Sequence, residues 1–147
     1  MTHPEKHASE RKTVHETVTL RANEQMTKGY FRLRAGCGSH YLHAVAGQFV
    51  TLRMPDQTEP LLRRPFSIHQ ITMNADGKPE IEILYRVVGG FTRELSRQPP
   101  GSRLDLLGPL GRGFTLSPHQ GPVAIVGGGI GVAPLVFLGR QLKEAGT

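Results

Sequence analysis

The sequence predicts an all-β, six-stranded antiparallel barrel followed by the first βα unit of an α/β domain. Three observations predict it. Short segments with apolar and polar residues in alternation recur along the first two thirds of the chain. Between them lie many of the 18 glycines and 11 prolines in 147 residues, the chemistry of frequent turns. After residue 121 the texture changes to a continuous apolar run, a glycine cluster and apolar residues at helical spacing.

Each element can be justified in order. In TVHETVTLRA (13–22), Val14, Val18 and Leu20 fall on one side and His15, Thr17, Thr19 and Arg21 on the other, a half-buried strand. YFRLR (30–34) repeats the pattern with Phe31 and Leu33 inward, and GQFVTLRM (47–54) forms a third strand, apolar on both faces in its middle. RPFSIHQI (64–71) is a fourth. NADGK (74–78) is a turn, with Asp76–Gly77 its strongest signal. EIEILYRVV (80–88) is a fifth strand with Ile81, Ile83, Tyr85 and Val87 on one face, and SRLDLL (102–107) a sixth. GPLGRGF (108–114) reads as a tight structural loop. VAIV (123–126) suits a parallel strand buried on both faces. From Val132 the apolar positions Val132, Leu135, Val136, Leu138 and Leu142 define a helix with Pro134 in its first turn. A single βα unit cannot form a sheet, so the chain is expected to be truncated after the start of a second domain. The expected boundaries are a disordered tail over 1–12, the barrel over 13–118 and the α/β start over 119–147.

Composition narrows the function. With 37% hydrophobic residues the chain can build a core, and its net charge of +6 suits an acidic or phosphate-bearing partner as well as a plain basic surface. The basic residues are scattered and tryptophan is absent, which argues against nucleic acid. Cys37 is the only cysteine, so this chain alone builds neither a disulfide nor a four-cysteine metal site, in keeping with a reducing compartment. The polar start MTHPEKHASERKT has no signal-peptide character, and no run of 18 apolar residues is present to span a membrane. The seven histidines show no metal-ligand spacing; His69 and His119 are isolated and read as satisfied or solvated.

Four stretches carry chemistry. In LLRRPFSIHQ (61–70), Pro65 cannot donate a ladder hydrogen bond, so this strand lies at an edge or opens to a ligand. Arg64 offers a planar fork suited to phosphate, Phe66 a flat ring and Ser67 a hydroxyl, a set fitted to a ligand partly aromatic and partly anionic. A strand with surface arginines is the competing reading. In LYRVVGGFTREL (84–95) a strand ends at Gly89–Gly90 and a short helix starts with Thr92 as its N-cap, giving backbone N–H groups for an anion and Arg86 for added charge. A plain strand–turn–helix link is the alternative. GPLGRGF is the third. In VGGGIGVAP (126–134), glycines between a strand and a helix allow backbone to approach a pyrophosphate, or serve a tight turn.

The order R-P-F-S, L-Y-R-V-V-G-x-x-T, G-P-L-G-x-G-F, V-G-G-G-I-G-V-A-P-L, with AGQFV (46–50), resembles the ferredoxin reductase superfamily from about residue 13 onward. Within it the chain looks most like the electron-transfer subunit of NAD-dependent dihydroorotate dehydrogenase. The resemblance implies an FAD-binding barrel. It places Arg64 on the FAD pyrophosphate, Pro65 at the open edge, Phe66 near the isoalloxazine and Ser67 at the ring near N5. Leu84, Tyr85 and Arg86 form the second flavin segment. The phosphate turn, commonly G-K-G-T in the family, reads Gly89-Gly90-Phe91-Thr92 here, with Phe91 in place of a glycine. Gly128 and Gly129, in the G-G-G-I-G stretch, resemble the first nicotinamide-dinucleotide turn of the second domain.

The function this implies is a cytoplasmic, FAD-dependent electron-transfer subunit of pyrimidine biosynthesis. In the complete protein, electrons pass between NAD(P), FAD, a 2Fe–2S cluster and the FMN of a separate catalytic dihydroorotate dehydrogenase subunit in a hetero-oligomer. The family's cluster-binding cysteines are absent here. Two other readings stay open: an NAD(P)H-linked flavin subunit of a hydrogenase, sulfide dehydrogenase or ferredoxin–NADP oxidoreductase complex, and a non-catalytic barrel that binds a partner protein.

Overall fold

The computed structural model describes residues 12–55, 62–116 and 121–146. The tail expected over 1–12, apart from Lys12, and the boundary expected at 118/119 lie outside the described residues.

Seven antiparallel strands form one curled sheet: β1 (Val14–Thr27), β2 (Tyr30–Gly36), β3 (Phe49–Arg53), β4 (Arg64–Ser67), β5 (Gln70–Met73), β6 (Pro79–Arg86) and β7 (Arg103–Leu110). Their order across the sheet is β4-β3-β7-β1-β2-β6-β5. Helix α1 (Gly90–Ser96) follows β6, and α2 (Leu135–Glu144) closes the described chain.

Six strands were expected where seven are found, because the run 64–71 breaks in two. At Ile68 and His69 the chain changes partners. The Ile68 N–H donates to the Gln48 carbonyl at 3.1 Å, on the β3 side, and the His69 N–H donates to the Glu82 carbonyl of β6 at 2.9 Å. The two outermost strands of the sheet are therefore joined by two residues, and β4 comes back against β6. Continuous alternation in the sequence hides such a switch, since both halves keep extended backbone.

The core follows the predicted pattern. Leu20, Leu33, Ile81, Ile83, Leu104 and Leu106 are fully buried from four neighbouring strands, and Val50, Leu52 and Ile68 close the other side. On β3, Phe49, Thr51 and Arg53 are only half-buried, so that strand alternates as well. The turn at 74–78 forms as expected. Gly77 takes φ +70°, and the Asn74 side chain accepts the N–H groups of Asp76 and Lys78, both at 2.9 Å.

Three expectations need correction. VAIV (123–126) is not a strand: Val123, Ile125 and Val126 are 44%, 40% and 90% exposed. A parallel strand needs neighbours on both sides, and none of the described strands pairs with it. The helix begins later than expected, since Val132 belongs to a 3₁₀ turn (Gly129–Val132) and Pro134 caps α2 instead of lying inside it. Finally, Gly108, Pro109 and Leu110 belong to β7, and the loop expected over 108–114 starts only at Gly111.

β7 also carries a buried charge that the sequence pattern concealed. Asp105 points to the outer face of the sheet with a side chain 6% exposed. Arg53 Nε donates to its Oδ2 at 3.1 Å and the Thr17 hydroxyl donates to Oδ1 at 3.1 Å. Arg63 Nη2 stands 3.7 Å from the same carboxylate, and Arg63 Nη1 donates to the Asp105 carbonyl at 3.3 Å. Burial alone would raise the Asp105 pKa. The hydrogen bonds from Arg53 and Thr17 and the charges of Arg53 and Arg63 outweigh burial and hold it below the usual carboxylate range. A depressed folded-state pKa stabilises above the unfolded value of about 3.9 and is lost as pH falls through the folded value. Asp105→Asn is therefore expected to lower stability at pH 7 by about 2 kcal/mol, the Arg53 partner being 36% exposed and partly screened. It should also flatten the fall in stability below about pH 4. Urea unfolding at several pH values checks both, and an unchanged acid slope would contradict the assignment.

Candidate functional site

The break between β4 and β5 opens the sheet beside β6, and a cavity of about 620 Å³ lies there. Its wall comes from three places: Arg64–Ser67 on β4, Leu84–Arg86 at the end of β6 with Val88–Thr92 at the start of α1, and Ile130, Gly131, Ala133 and Pro134 before α2. All ten residues expected to touch flavin are in this wall: Arg64, Pro65, Phe66, Ser67, Leu84, Tyr85, Arg86, Gly90, Phe91 and Thr92. Gly128 and Gly129 are exposed and not among the lining residues.

β4 is an edge strand whose other side faces this space. Among the described strands it pairs only with β3, with Thr51 opposite Pro65, so the missing N–H of Pro65 breaks no ladder. The adjacent arginines part company. Arg63 is tied back to Asp105, and its Nη2 also donates to His15 Nε2 at 2.8 Å. Arg64 lines the cavity, and among the described residues it makes only long contacts, from Nη1 to the Leu62 and Arg63 carbonyls at 3.4 and 3.5 Å. Arg86 lies with its guanidinium carbon 5.7 Å from the Tyr30 ring centroid. Neither Arg64 nor Arg86 forms an ion pair with a carboxylate among the described residues. Two cations without a counter-charge among the described residues border the cavity, an arrangement suited to an anionic ligand.

The apolar part of the wall is a chain of rings. Phe31 stacks on Tyr85 at 5.6 Å, Phe66 meets Tyr85 edge-on at 6.0 Å, and Phe66 and Phe91 stand 6.0 Å apart. Phe91, the departure from the expected glycine, is 4% exposed and works as packing beneath the site. The Tyr85 hydroxyl donates to Asn23 Oδ1 at 3.0 Å, and Asn23 Nδ2 donates to the Leu95 carbonyl of α1 at 2.8 Å. Burial pushes the Tyr85 pKa up to about 12, against the smaller effect of that hydrogen bond, so the ring stays neutral.

Thr92 plays a different part from the one expected. The N-cap is Gly89, and Thr92 is the third residue of α1. Its hydroxyl reaches back to accept the N–H groups of Val88 and Gly89 at 2.9 and 3.1 Å and donates to the Gly89 carbonyl at 3.2 Å. The hydroxyl therefore fixes the turn into the helix, leaving first-turn N–H groups at Gly90 and Phe91 without intrahelical acceptors. The flavin contacts named from the sequence leave out Val88, Ile130, Gly131, Ala133 and Pro134, although these lie in the LYRVVGGFTREL and VGGGIGVAP stretches singled out for ligand approach, and Gly89 is placed in the phosphate turn. The glycine-rich stretch 126–134 reads as a pyrophosphate approach or a tight turn, and its residues Ile130, Gly131, Ala133 and Pro134 line this cavity.

Residues 17–114 match the oxidoreductase FAD-binding domain family. The chain is 52% identical over 101 residues to the dihydroorotate dehydrogenase B (NAD(+)) electron transfer subunit of Desulforamulus reducens, covering 69% of this chain and 37% of that protein. It is 39% identical over 134 residues to the subunit of the same name from Streptococcus pneumoniae, covering 90% of this chain and 50% of that one. The chain thus spans half or less of the length of these curated relatives. Among solved structures, an NADH-dependent reduced ferredoxin-NADP oxidoreductase superposes with a TM-score of 0.74 at 30% identity, over 88% of this chain and 45% of that one. The family match covers the strands and the helix start that build the cavity, and this chain belongs to the oxidoreductase FAD-binding domain family.

Proposed function

We propose that the cavity is the FAD site of this domain and that the complete protein is the electron-transfer subunit of an NAD-dependent dihydroorotate dehydrogenase. The observation that carries the site is the pairing of two arginines, neither ion-paired to a described carboxylate, with a wall of aromatic rings in one cavity. FAD is an aromatic ring system joined to a pyrophosphate, and this wall offers both kinds of surface. Arg64 then serves the pyrophosphate and Pro65 keeps the β4 edge open. Phe66 packs near the flavin ring, Ser67 supplies a hydroxyl to it, and Leu84, Tyr85 and Arg86 form the β6 wall. Gly90 and Phe91 present backbone N–H groups at a turn that Thr92 braces. When bound, the flavin supplies the redox chemistry, and the chain's part is binding, orientation and exclusion of water.

In this reading residues 13–118 are the FAD domain and 119–147 begin the α/β nucleotide domain, where Gly128 and Gly129 take part in NAD(P) binding. The 2Fe–2S cluster of the complete protein draws its ligands from elsewhere, since Cys37 is this chain's sole cysteine. Electrons pass to the FMN of a catalytic partner subunit, in the cytoplasm, in pyrimidine biosynthesis. Among the described residues no helix is long and apolar enough to cross a membrane. The 52% identity to a dihydroorotate dehydrogenase subunit, against 30% to the ferredoxin–NADP oxidoreductase, favours this role over the other flavin complexes. The test is to combine the full-length flavoprotein with an FMN-containing dihydroorotate dehydrogenase subunit. NAD-dependent oxidation of dihydroorotate only when both are present is expected; full NAD-dependent activity of the catalytic subunit alone would refute the role.

A further inference from the structure

One wall of the cavity is held by a side chain outside it. His69 follows Ser67 by two residues, at the break between β4 and β5, and is not among the lining residues. Its backbone is fixed to β6 through the Glu82 carbonyl. Its ring Nδ1 stands 2.6 Å from the carbonyl oxygen of Ala133. A carbonyl oxygen only accepts, so Nδ1 carries the hydrogen and donates. Ala133 and Pro134 line the cavity, together with Ile130 and Gly131.

Among the described residues, the segment that Ala133 belongs to has little other hydrogen-bonded support. Residues 121–132 are all exposed, whereas Ala133 is 3% exposed. Within the segment, the Gly131 N–H donates to the Gly128 carbonyl and the Ala133 N–H to the Ile130 carbonyl, both at 3.0 Å, so 128–133 behaves as one small folded turn. Farther along, Gln141 Oε1 accepts the Ala46 N–H at 2.8 Å and Phe137 packs against the barrel core, which anchors α2. Among the described residues the turn also lies near β6, and its hydrogen bond to the barrel is the one from His69.

We infer that His69 is a positioning residue: its Nδ1–H, through Ala133, holds the 128–134 turn in place as the second wall of the cavity. The occupancy of that cavity then depends on a donor that makes no contact with the occupant. The flavin part of this inference rests on the FAD reading above; the positioning part does not.

The experiment measures hydrogen exchange by mass spectrometry on the 147-residue chain, without flavin and with FAD, for wild type, His69→Ala and His69→Asn. An asparagine amide nitrogen stands as many bonds from Cβ as His Nδ1 and can donate to the same carbonyl. Without flavin, His69→Ala is expected to raise exchange across 129–134 about fivefold to tenfold, with β1, β2 and β6 unchanged, and His69→Asn to stay within about twofold of wild type. With FAD, release of the flavin should be faster by a similar factor in His69→Ala alone. Should His69→Ala not fold, His69→Leu, which keeps bulk without a donor, takes its place. Wild-type exchange over 129–134 in the donorless variant, or equal exchange in the alanine and asparagine variants, would overturn the inference. The flavin-free arm decides this even if the barrel binds no FAD, so failure of the site assignment and failure of the positioning role are separable.

Discussion

Arg64→Ala is expected to weaken FAD binding by about tenfold to a hundredfold, while Arg63→Ala leaves it within about threefold of wild type. Loss of a charge-assisted, bidentate contact to phosphate costs roughly 1.5–3 kcal/mol, which sets the size of the first effect. The difference between neighbours comes from the structure. Arg64 lines the cavity without a carboxylate partner among the described residues. Arg63 is committed to Asp105 and His15 on the outer face. Arg63→Ala should instead lower the unfolding midpoint, because it removes one of the cations around a carboxylate 6% exposed. Fluorescence titration with FAD, paired with thermal unfolding of each variant, separates the two effects. Equal loss of flavin in both variants would count against the assignment.

The second large effect is a missing reaction. Loaded with FAD, the 147-residue chain is expected to be reduced by NADH below roughly 0.01 s⁻¹, against about 10 s⁻¹ for ordinary enzyme turnover. A nicotinamide dinucleotide binds in the crevice at the carboxyl ends of a parallel sheet. Here residues 123–126 pair with no described strand, and Val126 is 90% exposed. Ile130, Gly131, Ala133 and Pro134 shape the cavity proposed for FAD, but one turn and one helix do not make a crevice. Anaerobic mixing with NADH and observation of flavin bleaching checks this. Bleaching within a second would show a nicotinamide site that the present geometry lacks.

The barrel was legible because most of its strands bury one face. Val18 and Leu20, Leu33, and Ile81 with Ile83 sit where period-two alternation puts them. The cavity wall was legible for a different reason: Arg64, Pro65, Phe66 and Ser67 together suit no ordinary core strand, and their order with 84–92 resembles a known family. What stayed hidden depends on the third dimension. The partner change at Ile68–His69 falls between two short strands, and no glycine or proline marks it in the sequence. Asp105 sits between two buried leucines on a strand where an outward acid is unremarkable, and its burial comes from Arg53 and Arg63, distant in sequence. VAIV has the composition of a buried parallel strand, but composition does not supply the strands it must pair with. His69 looked isolated because Ala133, its partner, is 64 residues away.

The central claim is that one FAD binds between β4, β6 and the start of α1. Titration of the flavin-free chain with FAD, followed through its backbone amide resonances, tests that most directly. The account predicts saturation at one FAD per chain, with the largest shifts at 64–67, apart from the proline, and at 84–92. Saturation with shifts confined to the second cleft, near Thr17, Arg21, Cys37 and Lys78, or no shifts at all, would contradict it.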